Sequence, residues 1–280
     1  MNFITRKIGM ATMVLTVALG GALGMSVSAA QASEATFVIG GSSTGVQTMN
    51  PITTTVTSLA FSLVYDRLVE QDADQSYHPH LATSWTTSPD GMAMTFKLRQ
   101  GVTFQDGTPF NAQTIAWWIP KFKGTDNEYM VAAIDKVEVI DDYTVRFLMK
   151  HPDANILFNL ASGFMGIPSP TAYDKAGDQY GINGAVGTGP YKLVSFTPGV
   201  GYVLTRNKDY AWASDLSQNQ GPAKIDKLTL REIGDSSSAF LELKTGGVDL
   251  VEGVPTNMLA QYKRIKGAEF RSMPGDGIFY

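Results

Sequence analysis

The stretch Met92-Ala-Met-Thr-Phe-Lys-Leu-Arg99 sets the strongest constraint on this chain. Met92, Met94, Phe96 and Leu98 fall on one side and Thr95, Lys97 and Arg99 on the other, the period-two mark of a strand with one buried face. Val137 and Val139 repeat the pattern, Asp141-Asp142 supplies a turn, and Val145, Phe147 and Met149 return opposite Thr144, Arg146 and Lys150, which predicts a β-hairpin. Shorter strand-like pieces cover 36–39, 191–196, 202–205, 225–231 and 248–251. Helical spacing is sparser. Ala60, Phe61, Val64 and Leu68 share one face of a helix predicted over 58–70, and Asn111 caps a second one carrying Ile115, Trp118, Ile119 and Phe122, disturbed by Pro120. A third starts at Ser236, buries Ala239, Phe240 and Leu243, and stops at Gly246-Gly247, and a short fourth has Pro255 in its first turn. Strands and helices interleave without strict β-α-β repetition, so the expected class is α/β with mixed sheets.

The first residues read as a targeting segment. Arg6 and Lys7 precede an apolar run from Ile8 to Val27 diluted by glycine, serine and threonine, and Ala30-Gln31-Ala32 fits the cleavage pattern of a signal peptide over residues 1–32. With that leader removed the net charge moves from −4 to −6, because two basic residues and no acidic one leave with it, which argues against nucleic acid and anionic membrane as partners. The chain has no cysteine, which excludes disulfides, thiolate metal sites, a cysteine nucleophile and a lipid-modified cysteine. An exported chain without a lipid anchor is expected in the periplasm.

Candidate chemistry is thin. Gly41-Ser-Ser-Thr-Gly45 matches the G-x-S-x-G nucleophile elbow, but an elbow runs straight into a helix, and Val46-Gln47-Thr48-Met49-Asn50-Pro51 reads as irregular chain. His78, His80 and His151 are the only histidines, and the first two follow too closely for a hydrolase sheet to form before them. A secreted serine hydrolase using Ser43 stays as the alternative reading. His78-Pro79-His80 has two-ligand metal spacing, yet two ligands are too few, so a solvated loop is expected there and no metal. "GTGPYK", Gly187 to Lys192, lacks the third glycine and the following helix of a phosphate cradle, so no cofactor is expected. Trp117 and Trp118 cannot share a helix face, and Trp117 is the one left outside the core stripe. Asp72, Asp74, Asp141 and Asp142 sit in turns, where a structural role is the default.

Five segments together resemble the periplasmic oligopeptide-, dipeptide- and nickel-binding proteins of ABC transporters, the family 5 extracellular solute-binding proteins. They are "VYDRLVEQDADQSYHPHLATSW" from Val64, "SPDGMAMTFKLRQGVTFQDGTPFNAQTI" from Ser88, "VEVIDDYTVRFLMKHPDA" from Val137, "VGTGPYKLVSFTPGVGYVLTRNKDY" from Val186 and "IDKLTLREIGDSSSAFLELKTGGVDLVEGVP" from Ile225. The resemblance implies a two-lobed periplasmic-binding-protein fold of type II. Residues 33–50 and 185–275 would form a discontinuous large lobe and 51–184 an inserted small sheet domain, with crossings near 45–53 and 182–189. It further implies a monomer that is not an enzyme, has no catalytic residue, binds a small peptide or related solute by cleft closure, and delivers it to an inner-membrane ABC permease.

The family's cleft loop after the first strand corresponds here to Ser42, Ser43, Thr44 and Val46, and a cleft aromatic to Tyr129. Phe164, Met165 and Gly166 fall where some members address an anionic ligand, although Gly166 offers no side chain. Family members continue well beyond Tyr280, so the resemblance also implies that the second large lobe is missing and that this chain alone binds weakly. The apolar face meant for that lobe would then offer an indiscriminate, chaperone-like surface.

Overall fold

A computed structural model describes residues 2–6, 33–39 and 45–272. Elements are numbered in chain order. The larger sheet has seven strands in the order β13-β1-β12-β2-β11-β10-β9. These are β1 (Asn2–Arg6), β2 (Glu34–Ile39), β9 (Tyr191–Thr197), β10 (Gly201–Arg206), β11 (Lys227–Glu232), β12 (Leu250–Glu252) and β13 (Ala268–Ser272). At its centre β2 runs parallel to both β11 and β12, while β9, β10 and β11 pair antiparallel and β1 pairs antiparallel with β12 and β13. A two-stranded ribbon, β3 (Val69–Gln71) with β4 (Tyr77–Pro79), and a four-stranded antiparallel sheet in the order β5-β6-β8-β7 make the smaller unit. In it β5 is Ala82–Thr87, β6 Ala93–Leu98, β7 Ile134–Asp141 and β8 Thr144–Met149. The alternation read from the sequence decides which face is covered, since Met94, Phe96, Leu98, Val145, Phe147 and Met149 are all buried.

Among the described residues six α-helices accompany these sheets: α1 (Leu59–Val64), α2 (Ala112–Trp118), α3 (Ile156–Ala161), α4 (Pro170–Ala176), α5 (Ser236–Thr245) and α6 (Leu259–Tyr262). α2 starts on a capping box at Asn111 and passes at Pro120 into a 3-10 turn, Ile119–Phe122. α5 starts on Asp235 and ends on Gly246 at φ 82°, the left-handed position glycine takes without penalty. The helix predicted over 58–70 is shorter than its apolar spacing implies. It ends at Val64, because the Val64 carbonyl accepts from Gly189 N–H at 3.0 Å and Tyr65 turns to extended geometry. Leu68 is buried in the core of the smaller unit, whereas Ala60, Phe61 and Val64 pack on the larger sheet.

The core falls into three clusters. One fills the smaller unit, and the other two lie on the opposite faces of the larger sheet, with Ile39 on one face and Val38 on the other. Two aromatic residues from the chain that follows β10, Tyr210 and Trp212, belong to the core of the smaller unit. Among the described residues no helix is long and apolar enough to cross a membrane.

Candidate functional site

After β2 the chain reaches α1, which packs on the Ile39 face of the sheet, and after β11 it enters α5, which packs on the Val38 face. Neighbouring parallel strands whose continuations leave to opposite faces open a crevice at their carboxyl ends, the position where open α/β sheets hold ligands. Glu232 stands there as the last residue of β11, in register with Ile39, the last of β2. Its Oε2 accepts the Gly45 N–H at 3.3 Å, and its Oε1 has no hydrogen-bond partner among the described residues. Beside it a cavity of about 250 Å3 is bordered by Ile233, Gly234, Glu252, Gly253 and Pro255 from the ends of β11 and β12.

From Gly45 the chain runs as a wall toward the smaller unit. Gly45 itself has φ 84° with open space where a Cβ would stand, so the backbone conformation, not crowding, calls for glycine. The wall is pinned midway by Met49 N–H to the Gly181 carbonyl at 2.8 Å, and at its far end by Asn127. That buried side chain donates to the carbonyls of Ile52 and Thr54 at 3.1 and 2.8 Å. Two residues on, Tyr129 projects with 62% of its surface exposed. Thr57 abuts Gly163, the first residue of the 3-10 turn Gly163–Met165 that carries Phe164. Segment 45–57 thus connects the crevice to both Tyr129 and Phe164.

The expected ligand residues divide three ways. Ser42, Ser43 and Thr44 lie outside the described residues. Tyr129 is open to solvent, and Phe164 is half-buried against the smaller core. Val46 and Met165 are fully buried, and a Cβ on Gly166 would stand 2.7 Å from that of Tyr65, so these three positions serve internal packing and offer a solute no surface as they stand. Reading the stretch after β2 as irregular chain lining the cleft overlooked that Val46 joins the core cluster of Phe61 and Tyr65. Asn127 and Glu232 were not singled out from sequence. Only Glu232 carried a usable signal, its place at the end of an alternating segment.

The remaining motifs resolve into packing. A Cβ on Gly187 would stand 2.1 Å from the Val64 carbonyl oxygen, and one on Gly189 2.5 Å from that of Leu63, so "GTGPYK" is where backbone meets backbone at the end of α1. His80 is not on a solvated loop but buried between Asp66 and Glu70. His78 faces Asp215 at 3.3 Å, and no three such side chains are placed to hold a metal ion among the described residues. Trp117 Nε1 donates to Asp174 at 3.1 Å, its ring meets Tyr173 edge-on, and Lys121 sits 4.8 Å from the ring centre. With His80 held by two carboxylates and His151 exposed beside Pro152, nothing in this geometry supports the hydrolase alternative.

Comparison with known proteins agrees with this architecture. The family described as bacterial extracellular solute-binding proteins, family 5 Middle, matches residues 76–280. The glutathione-binding protein GsiB of Escherichia coli O1:K1 / APEC is 30% identical over 264 residues, covering 92% of this chain and 50% of that protein. The GsiB of Salmonella typhi is 31% identical over 214 residues, covering 75% of this chain and 40% of that protein. This chain therefore spans about half the length of the curated relatives it matches.

Among solved structures, the periplasmic binding protein DppA from Helicobacter pylori, in complex with the peptide STSA, superposes with a TM-score of 0.68 at 28% identity, over 84% of this chain and 50% of that one. NikZ from Campylobacter jejuni in complex with Ni(L-His) gives 0.71 at 25% identity, over 82% and 45%. The fold is that of type II periplasmic binding proteins, and these relatives are binding proteins rather than enzymes. The parallel centre of the sheet, the crevice beside Glu232 and the matched residues lead to one assignment: the chain belongs to the family 5 bacterial extracellular solute-binding proteins.

Proposed function

We propose that the protein is the periplasmic solute-binding component of an ABC uptake system, taking a small peptide or a related solute such as glutathione or a metal chelate and passing it to an inner-membrane permease without chemistry. The observation that carries this reading is the crevice at the carboxyl ends of β2 and β11, continued by segment 45–57 to the exposed ring of Tyr129. Tyr129 and Phe164 act as the apolar wall, and the loop with Ser42, Ser43 and Thr44 supplies polar contacts at the crevice. Residues 33–50 and 185–275 serve as the larger lobe and 51–184 as the smaller, the protein works as a monomer, and the leader is removed after Ala32. The choice of solutes rests on what the relatives bind: glutathione for GsiB, a peptide for DppA and nickel-histidine for NikZ.

The test is a titration of the 15N-labelled protein with glutathione, the peptide Ser-Thr-Ser-Ala and nickel-histidine, each followed by amide NMR, which detects even millimolar binding. At least one is expected to move the resonances of Gly45 and Tyr129, and Tyr129→Ala is expected to weaken that solute about tenfold, the loss of one aromatic contact. No shift with any of the three, or an unaltered affinity in Tyr129→Ala, would sink the assignment of this wall.

A further inference from the structure

A buried polar cluster joins chain segments that belong to different sheets. Asp66, just past α1 and 2% exposed, is its centre. Its Oδ2 accepts from Thr188 Oγ1 at 2.8 Å and from Trp212 Nε1 at 3.0 Å, and its Oδ1 accepts from the Tyr210 hydroxyl at 3.2 Å. The same Oδ1 lies 3.3 Å from His80 Nε2. The other ring nitrogen, Nδ1, is 3.3 Å from Glu70 Oε1, a close approach of opposite charges without a hydrogen bond's alignment. Glu70 Oε2 in turn accepts from Ser214 Oγ. Asp66 and His80 flank the β3–β4 ribbon of the smaller unit and Glu70 lies within it, whereas Thr188, Tyr210, Trp212 and Ser214 come from the chain leading into β9 and out of β10 in the larger sheet.

The charges around His80 are accounted for on every side. Arg67, on the same turn as Asp66, reaches Glu70 Oε1 at 3.4 Å and also donates to the Ala161 carbonyl. Arg99, beyond β6, donates through Nε to the His80 carbonyl at 2.8 Å. His78 is turned to Asp215. Tyr210 supplies a phenol, and burial followed by the Asp66 charge holds it protonated well above its ordinary range, so it stays a donor.

We propose that Asp66, Glu70 and His80 form a pH-sensitive clasp that fastens the smaller sheet unit to the larger one and makes the two unfold as a single body. Two units with separate cores, between which the chain passes repeatedly, uncouple by default unless specific contacts bind them. Here the contacts include a polar cluster in which His80 sits between two carboxylates, beside the buried rings of Tyr210 and Trp212. Burial pulls His80 down, but the Asp66 and Glu70 carboxylates overcome it and raise the ring to about 9 from 6.5. Burial pushes Glu70 up, and His80 outweighs that, leaving it at about 2 from 4.5. The sign follows from linkage. The His80 contribution is complete below its ordinary 6.5 and disappears as pH climbs through about 9, and that of Glu70 is complete above 4.5 and disappears only toward 2. Alkali therefore opens the clasp, by leaving the buried Asp66 and half-buried Glu70 carboxylates facing a neutral ring.

Scanning calorimetry of the purified protein at a mildly acid pH and at about pH 10 tests this. One cooperative transition is expected at the lower pH and two at the higher. His80→Gln is expected to show two at both, with the separation between them no longer dependent on pH. A single transition for the unaltered protein at both pH values overturns the clasp, as does a His80→Gln variant that retains the original pH dependence. If His80→Gln does not fold, the two scans of the unaltered protein decide the matter.

Discussion

Gly187 and Gly189 show what single residues contribute here. Both meet the last carbonyls of α1 at distances no side chain tolerates, and Gly189 N–H takes the Val64 oxygen as its partner. Gln105 reinforces the junction, its Nε2 donating to the Gly189 and Tyr191 carbonyls at 3.1 and 2.7 Å. Gly187→Ala is expected to cost about 2–3 kcal/mol in urea unfolding, because the opposing atom is backbone and cannot rotate away. Tyr129 is the opposite case. With 62% of its surface exposed, Tyr129→Ala should leave the unfolding midpoint within about 0.5 kcal/mol of the parent while altering solute binding, a combination that core residues cannot give.

Among the elements, α2 follows its sequence signals most closely. Asn111 Oδ1 accepts from Gln113 and Thr114 N–H, Thr114 Oγ1 accepts the Asn111 N–H in return, and Ile115 and Trp118 fill the core. Asn111→Ala is expected to cost about 1 kcal/mol, read as a shifted urea midpoint with an unchanged slope. α1 departs from its signals because its apolar period continues to Leu68 while its hydrogen bonding stops at Val64. The Gly189 N–H, distant in sequence, captures the Val64 carbonyl that a further turn would use. α3 and α4 were not anticipated, as each is a helix of two turns or less with too few positions for a period to emerge.

At the scale of the molecule, the larger sheet includes Asn2–Arg6 between β12 and β13, and those residues belong to the expected leader. A chain beginning at Ser33 lacks that strand. The amides of Leu250–Glu252 should then exchange faster in processed protein than in unprocessed protein, checked by hydrogen exchange on both forms after their intact masses are measured. Equal exchange would remove β1 from the folded sheet.

The class, the β6, β7 and β8 strands of the four-stranded sheet, the N-cap of α2, the glycine stop of α5 and the family resemblance were legible in the sequence, because each rests on residues close together in the chain. Alternation decides which face is covered, and a cap needs only its next three residues. What the tertiary structure decided is everything that depends on distant segments meeting. It ended α1 at Val64, turned Val46 inward, set Glu232 beside Gly45, and drove Tyr210 and Trp212 into the smaller core to meet Asp66. His80 illustrates the reason most plainly. Two histidines around a proline read as solvent-exposed chain, and only the approach of carboxylates 10 and 14 residues earlier, together with a loop more than 100 residues later, buries one of them as a cation. Local spacing carries no record of such encounters, since the free energy that selects them comes from burial and pairing available only once the chain has folded.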